Sequence, residues 1–523
     1  MLAATPFLRL CAKRRLRRLG EASASAMQEA QLMELLRRAA PTRFGRDHGF
    51  AGIRSVADYQ QRVPLRSYED FWTEYWQPGF PRLDNCTWPG TVPYFARTSG
   101  TTTGKTKYIP FTREMLRANI RAAWDVLYFH LLNRPGSRAL GGKTLMLGGS
   151  TDLQQEAPGI YSGDLSGIVA NEIPRWARPY AFPPRELALV ADWEEKIDRV
   201  ARLSLSQDIR AISGTPNWLL SFFDKLAELR PEAGQRIVNW YPGLELLLHG
   251  GIDFRPYAKR FSELLEGSRA ELREVYPASE AFIAIADRGP GEGLRLIVDN
   301  AVFFEFVPTG ELGSAAPTRH WLGTVEPGVD YAVVLSTCAG AWGYILGDTV
   351  RFVDLDPPRV LVTGRTSFVL SAFGEHLIQE EIEMAVAGAA GAVGASVVDY
   401  CVAPVFPGAG EARGGHHYVV EFAGEPPAAE RIAAFGASLD DLLCGFNADY
   451  REHRAGDYGL RPPKIEAIAP GMFAAWMKSR GKLGGQHKVP RIINDPTLFA
   501  DLLAFLSRAG ARQDRPAGPG ADA

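Results

Sequence analysis

The sequence predicts an α/β protein. A large N-terminal domain of mixed, mostly parallel sheets carries a small β-rich, barrel-like unit, and a smaller α/β C-terminal domain follows. Three observations lead there. Short apolar runs with glycine at or near their ends, Lys143 to Gly149, Ile209 to Pro216 and Leu244 to Gly251, alternate with helical patterns, as in parallel sheets buried on both faces. Beyond Ala301 the texture changes to antiparallel-looking runs, Ala301 to Pro308 and Tyr331 to Thr337, with turns such as Pro327-Gly328. From Gly374 onward, strands and helices alternate again on a smaller scale.

Size and composition bound the function. A chain of 523 residues suits two or three domains. Hydrophobic content of 46% with 23% charged residues is that of a globular protein with a large core. A net charge of −2 supplies no general field for nucleic acid or an anionic membrane. Cys11, Cys86, Cys338, Cys401 and Cys444 are widely separated, which excludes a C-x-x-C zinc site or a disulfide framework and fits a reducing, cytoplasmic setting. No apolar run is long enough to span a bilayer, so no stable membrane insertion is expected.

The elements follow in order. Leu8 to Leu19 is basic and amphipathic; it reads as a solvated first helix, with a transit-like or membrane-surface segment as alternatives. Gln28 to Arg38 is predicted helical, Phe44 to Phe50 a turn, and Val56 to Gln60 and Tyr68 to Trp76 short helices. Val92 to Ala96 is strand-like. From Thr112 to Leu132, Leu116, Ile120, Ala123, Trp124, Leu127 and Leu131 recur at helical spacing. The run at Ile209 feeds a helix from Asn217 to Leu229. The C-terminal segment reads as helix Gln379 to Ala387, strands Ala395 to Cys401 and His417 to Phe422, and helix Ala428 to Leu443. From Ala509 the Pro/Gly/Ala-rich tail is expected to be disordered.

Thr98 to Thr112, TSGTTTGKTKYIPFT, sits between a strand and a helix. Hydroxyls, glycine amides and lysines in one loop suit a phosphate chain. Gly104-Lys105-Thr106 resembles the end of a P-loop, but the opening glycine should stand at position 99, which is Ser99; Gly100 comes one residue late. An ordinary Ser/Thr/Gly turn is the plainer alternative.

Four motifs follow in order: Tyr276-Pro277-Ala278-Ser279-Glu280; Tyr344-Ile345-Leu346-Gly347-Asp348; Gly364-Arg365-Thr366 leading through Phe368 to Gly374-Glu375 and Glu380 to Glu383; and Gly485-Gln486-His487-Lys488-Val489-Pro490-Arg491. With the loop they resemble the adenylate-forming superfamily of acyl-CoA synthetases, luciferase and peptide-synthetase adenylation domains. Within it the chain is most similar to the auxin-responsive Gretchen Hagen family of acyl-acid amido synthetases. The Tyr-x-x-Ser-Glu form, the Gln-His-Lys-Val-Pro-Arg close and the entry segments FGRDHGF and VPLRSYEDF carry that likeness.

The resemblance implies an enzyme that uses ATP and Mg²⁺ to adenylate a carboxylic acid and then passes the acyl group to an amine, expected to be an amino acid. It implies that Thr98, Ser99, Gly100, Thr101, Thr102 and Gly104 hold the phosphates, with Lys105 or Lys107 beside them. Glu280 would hold Mg²⁺ and act catalytically, Tyr276 and Ser279 would lie at the adenine, and Asp348 would accept from the ribose hydroxyls with Arg365 nearby. Gly250 and Gly251 would let backbone approach the adenine, or simply make a tight turn. Lys488 would be the catalytic cation, carried by a mobile small domain. His376 stands where plant members carry lysine, which leaves its role open. Trp124, Tyr128, Trp218 and Phe222 are candidate walls of an acyl pocket, although aromatic helix faces are usually core.

The implied organisation is an adenylation domain over 1–363, a hinge over 364–373, a small domain over 374–508 and a tail over 509–523. Two other readings stay open: an acyl-CoA synthetase that forms a thioester, and a nucleotide-binding protein without turnover.

Overall fold

The computed structural model describes residues 5–99, 106–148, 152–173, 175, 177–190, 193–251, 254–366, 369–370, 377–405, 414–447, 450–451, 454, 460–481 and 488–513. The chain divides into two compact units, Met1–Thr366 and Ser367–Ala523.

The first unit opens with α1 (Thr5–Leu19) and α2 (Ala24–Ala39). The Ser23 side chain caps α2 by accepting from the Ala26 amide, so the connection between the two helices stays short. Strands β1 (Tyr94–Ser99) and β2 (Thr106–Phe111) then pair antiparallel. The hydroxyl-rich loop is therefore the tip of a hairpin, not the strand-to-helix connection that the sequence suggests. β2 was hidden by Pro110, which is tolerated because β2 lies at the edge of its four-stranded sheet. Thr112 follows and caps α3 (Arg113–Asn133) by accepting from the Met115 amide.

A twelve-stranded mixed sheet forms the centre of this unit, with the two-residue strands Ala181–Phe182 and His320–Trp321 at its two edges. Its parallel half is β3 (Lys143–Met146), β4 (Ile209–Gly214), β5 (Leu246–Gly250) and β6 (Glu271–Pro277). Helix α4 (Pro216–Leu229) follows β4, and Pro216 lies in its first turn, where a missing N–H costs nothing. The antiparallel half comprises β7 (Phe282–Ile285), β8 (Leu294–Leu296), β9 (Val302–Pro308), β10 (Asp330–Thr337), β11 (Tyr344–Leu355) and β12 (Pro358–Arg365). The β-rich segment is continuous with the parallel strands: β12 pairs with β8, β8 with β7, and β7 with β6, all antiparallel. Packing anchors this centre: Phe303, Phe304 and Phe306 on β9 are buried together with Trp342 and Phe352. A second core between the parallel strands and α4 holds Leu219, Phe222, Phe223 and Trp240.

The second unit is an α/β layer. Helices α5 (Gln379–Ala392) and α6 (Ala429–Phe446) accompany the three-stranded sheet of β13 (Val397–Val405), β14 (Gly415–Phe422) and β15 (Lys464–Ile468). Every residue of β14, its central strand, is buried. The final helix, α7 (Pro496–Gln513), buries Phe499, Leu502 and Leu506. It carries through residues 509–513, which the composition had assigned to a disordered tail; the remaining residues of that tail lie outside the described residues.

Candidate active site

The site is built from two hairpins of the first unit. In one, β6 ends at Tyr276-Pro277, and the turn to β7 is closed by the Ala278 amide donating to the Ala281 carbonyl at 2.8 Å. Ser279 and Glu280 occupy that turn. In the other, β11 and β12 pair so that Asp348 stands directly across from Arg365.

The hairpins meet through side chains. The buried Tyr276 hydroxyl donates to Asp348 Oδ2 at 2.7 Å, and Arg365 Nε lies 3.1 Å from Asp348 Oδ1. The Tyr344 hydroxyl donates to Glu280 Oε1 at 3.0 Å. Burial pushes the Glu280 carboxyl above its usual range; the nearby Asp348 charge adds to this, while the Tyr344 hydrogen bond and Arg365 oppose it. Burial and then the neighbouring carboxylates push both Tyr276 and Tyr344 well above the usual phenol value, so both stay protonated donors at neutral pH. Tyr276, Glu280, Asp348 and Arg365, picked from three separate motifs, therefore share one electrostatic neighbourhood.

Glycine shapes the adjoining edge. β5 runs parallel to β6 with Gly250 paired to Val275, and a Cβ at Gly250 would stand 2.1 Å from the Val275 carbonyl oxygen. No side chain fits there. Gly251 follows with φ +81°, in the region that favours glycine. The glycine pair thus ends β5 beside the strand that delivers Tyr276.

The β1–β2 hairpin is tied to the same region. Thr98 pairs with Lys107 and Ser99 with Thr106 at the end next to the connecting loop. Gly100, Thr101, Thr102, Gly104 and Lys105 lie outside the described residues. Lys107 Nζ sits 3.5 Å from Glu69 and 4.9 Å from the centre of the Tyr68 ring, so of the two candidate phosphate lysines it already has an anionic partner. The Tyr108 amide donates to the Tyr68 hydroxyl at 2.9 Å, and in the same helical turn the Phe71 ring packs 6.1 Å from Tyr344. A continuous path of contacts thus runs from the hairpin to Glu280.

The candidate pocket aromatics separate. Phe222 is 0% exposed inside the core shared with Phe223 and Trp240, so it offers no face to a ligand; this corrects its placement as a pocket wall. Trp218, earlier on α4, is half-buried. Trp124 and Tyr128 stack on each other on α3, with ring centres 6.0 Å apart and Tyr128 close to Cys11 of α1.

Two residues of this region escaped the sequence reading. Tyr344 opens the Tyr-Ile-Leu-Gly-Asp motif and was passed over in favour of its aspartate. His249, one residue before Gly250, is 3% exposed, stacks on Phe254 at 4.0 Å, and is held by burial at a pKa of about 4. Only a polar residue at the end of an apolar strand could have marked it.

Lys488 belongs to the second unit, and His376 lies outside the described residues. Three residues after Lys488, Arg491 is anchored to β13. Its guanidinium pairs with Asp399, donates to the Tyr400 carbonyl at 3.1 Å and lies 4.5 Å from the Tyr400 ring centre. The backbone continues that attachment, with the Val402 amide donating to the Arg491 carbonyl at 2.8 Å.

Comparison with known proteins places this architecture. Models of the GH3 family match in three segments: its N-terminal domain at residues 15–160, its central domain at 295–365 and its C-terminal domain at 380–497. A probable indole-3-acetic acid-amido synthetase GH3.9 of Oryza sativa subsp. japonica is 32% identical over 271 residues; the alignment spans 47% of this chain and 58% of that relative's length. Among solved structures, AtGH3.15 acyl acid amido synthetase in complex with 2,4-DB superimposes with a TM-score of 0.79 at 18% identity, covering 95% of this chain and 96% of its own. A 2-hydroxyisobutyryl-CoA ligase in its postadenylation state shares the fold more distantly, with a TM-score of 0.59 at 14% identity and 92% of each chain covered. Matched in all three of its domains and along nearly its whole fold, the chain belongs to the GH3 family, on the adenylate-forming fold that the family shares with acyl-CoA ligases.

Proposed function

We propose that this protein is an ATP-dependent acid–amido ligase that couples a carboxylic acid to an amine, with an amino acid as the expected acceptor. In the first step a carboxylate oxygen attacks the α-phosphorus of ATP, the bond to the β-phosphate breaks, and pyrophosphate leaves. In the second step the amine nitrogen attacks the acyl carbonyl, AMP leaves, and the nitrogen loses a proton. The observation that carries this reading is the convergence of Tyr276, Asp348 and Arg365 with Glu280 in one half-buried neighbourhood. Asp348 is an acceptor-only group when ionised, suited to two ribose hydroxyls. Tyr276 and Arg365 hold it in place. Gly250 and Gly251 end β5 close against the strand that carries Tyr276, at the edge assigned to the adenine, and the hydroxyl-rich segment between β1 and β2 is assigned the phosphates.

Glu280 fits Mg²⁺ by its chemistry: a hard carboxylate, raised by burial, that would be relieved by a cation. Bound there, Mg²⁺ would offset charge on the phosphates. Among the described residues no cluster of three or more His, Cys, Asp or Glu could cage a metal, which agrees with an ion that takes its other ligands from phosphate and water. Lys488 is assigned the role of the cation that meets the α-phosphate. In domain terms, 1–363 is the adenylation domain, 364–373 the hinge and 374–508 the small domain. Five free cysteines suit a reducing compartment, the cytoplasm, and among the described residues no helix is long and apolar enough to cross a membrane.

The test is product analysis by mass spectrometry. The protein is incubated with ATP, Mg²⁺ and panels of aromatic, fatty and hydroxy acids, with either amino acids or coenzyme A supplied. Amide together with AMP and pyrophosphate supports the ligase. A thioester formed alone would establish the acyl-CoA synthetase instead, and the absence of pyrophosphate release across the panel would leave only nucleotide binding.

A further inference from the structure

α1 has two faces, and the structure fixes which one looks outward. Its inward face carries Ala12 and Leu19, both buried, together with Arg15; Arg9 is half-buried. The Arg15 guanidinium donates to Asp125 at 2.8 and 2.7 Å and to Asp299 at 2.5 and 2.7 Å. Two carboxylates gripping one fork set the rotation of the helix about its axis.

The outward face has a definite chemistry. Phe7 and Leu10 are 67% and 66% exposed, the most exposed of the large apolar side chains among the described residues. Lys13, Arg14, Arg17 and Arg18 follow along the helix, all exposed, and α1 contains no acidic residue. The nearest counter-charge to them is Glu21, a loose 3.9 Å from Arg17 with both side chains mostly in solvent. The other acids beside the helix, Asp125 and Asp299, are held by Arg15. Two exposed arginines extend the cationic surface onto α3, Arg117 and Arg121, two turns and one turn before Asp125; Arg121 donates to the Asp299 carbonyl at 3.2 Å. A chain of net charge −2 therefore concentrates cations around one helix and tips that helix with two solvent-exposed apolar anchors.

We propose that the outward face of α1 is a docking surface for an anionic phospholipid bilayer. Cations near a charged headgroup layer supply the attraction, and Phe7 and Leu10 insert at the level where headgroups meet acyl chains. A nucleic acid would satisfy the cations but give Phe7 and Leu10 nothing apolar to enter. The main apolar stripe of α1 is already committed to the body of the protein, so the contact is peripheral and reversible.

Co-sedimentation of the full chain with vesicles tests this. One set is pure phosphatidylcholine, the other contains about 30 mol % phosphatidylglycerol. The wild-type protein should sediment with the anionic vesicles and stay in solution with the neutral ones, and raising the salt should release it. Replacing Lys13, Arg14, Arg17 and Arg18 together by Glu should cut binding about tenfold or more. The double variant Phe7→Ser, Leu10→Ser should weaken binding severalfold while retaining its salt dependence. Both variants spare Arg15, Ala12 and Leu19, and unchanged thermal unfolding confirms that the helix remains docked. Wild-type protein left in the supernatant with anionic vesicles at low salt would overturn the proposal. So would a charge-reversed variant that binds as well as wild type, or a serine variant that loses no affinity.

Discussion

At the scale of single residues, Asp348 is held by two donors with different jobs. Arg365 brings charge, and the Tyr276 hydroxyl brings direction from a second hairpin. On the proposed reading Asp348 must present its oxygens to a ribose, so removing one donor loosens the acceptor without removing it. Tyr276→Phe should raise the KM for ATP about tenfold and leave kcat for pyrophosphate release within about twofold, the low end of what one hydrogen bond to a charged group contributes. An equal fall in kcat would mean that the hydroxyl acts in the chemical step. His249 gives a second prediction. Its folded pKa of about 4 lies below that of an unfolded histidine, so acid protonates the unfolded chain first. Stability is therefore full above pH 6.5 and is lost as pH falls from 6.5 towards 4, by up to about 3 kcal/mol from this group. His249→Phe keeps the stack on Phe254 and removes the proton. Urea unfolding at pH 7.5 and pH 5 should show a smaller acid loss in the variant than in wild type, and identical losses would count against burial as the cause.

At the scale of elements, what the sequence disclosed and what it hid have the same explanation. Tyr276, Glu280, Asp348 and Arg365 were legible through the family resemblance, because each lies in a short run of adjacent residues that forms one motif. The pairings that bring those motifs together were not legible. Nothing in Leu294–Leu296 announces that it will bind β12 and so link the β-rich strands, through β7, to β6. β2 was obscured by Pro110, whose harmlessness depends on an edge position known only from the assembled sheet. Phe222 looked like pocket because an aromatic on a helix has the same pattern whether it faces core or ligand. Gly250 shows the reverse: a permissive reading from sequence became a strict requirement once β5 and β6 were paired. A Cβ there meets backbone, not a movable side chain, so relief requires the two strands to separate. Gly250→Ala should cost about 3 kcal/mol of stability by urea unfolding and weaken nucleotide binding in parallel. A variant of unchanged stability would show that the strands can part there without penalty.

At the scale of the whole molecule, the proposed roles divide between the two compact units. Tyr276, Glu280, Asp348, Arg365 and the glycine edge all lie in Met1–Thr366, whereas Lys488 lies in Ser367–Ala523. The segment that carries Lys488 is fastened to its own unit. Arg491, paired with Asp399 and lying against Tyr400, continues into backbone pairing with Val402, and Ile493 donates back to the Val402 carbonyl at 2.8 Å. These bonds fasten the stretch just after Lys488 to the second unit, so on the proposed reading Lys488 moves with that unit. Nucleotide affinity would then reside in the first unit, and charge stabilisation at the α-phosphate would be supplied by the second. Lys488→Ala should leave the Kd for ATP within about twofold while pyrophosphate release slows about a thousandfold. Calorimetric titration with ATP and a pyrophosphate-release assay on the same preparation measure the two separately. Parallel loss of binding and rate would place Lys488 among the residues that hold ATP in its ground state, and the division of labour between the units would have to be redrawn.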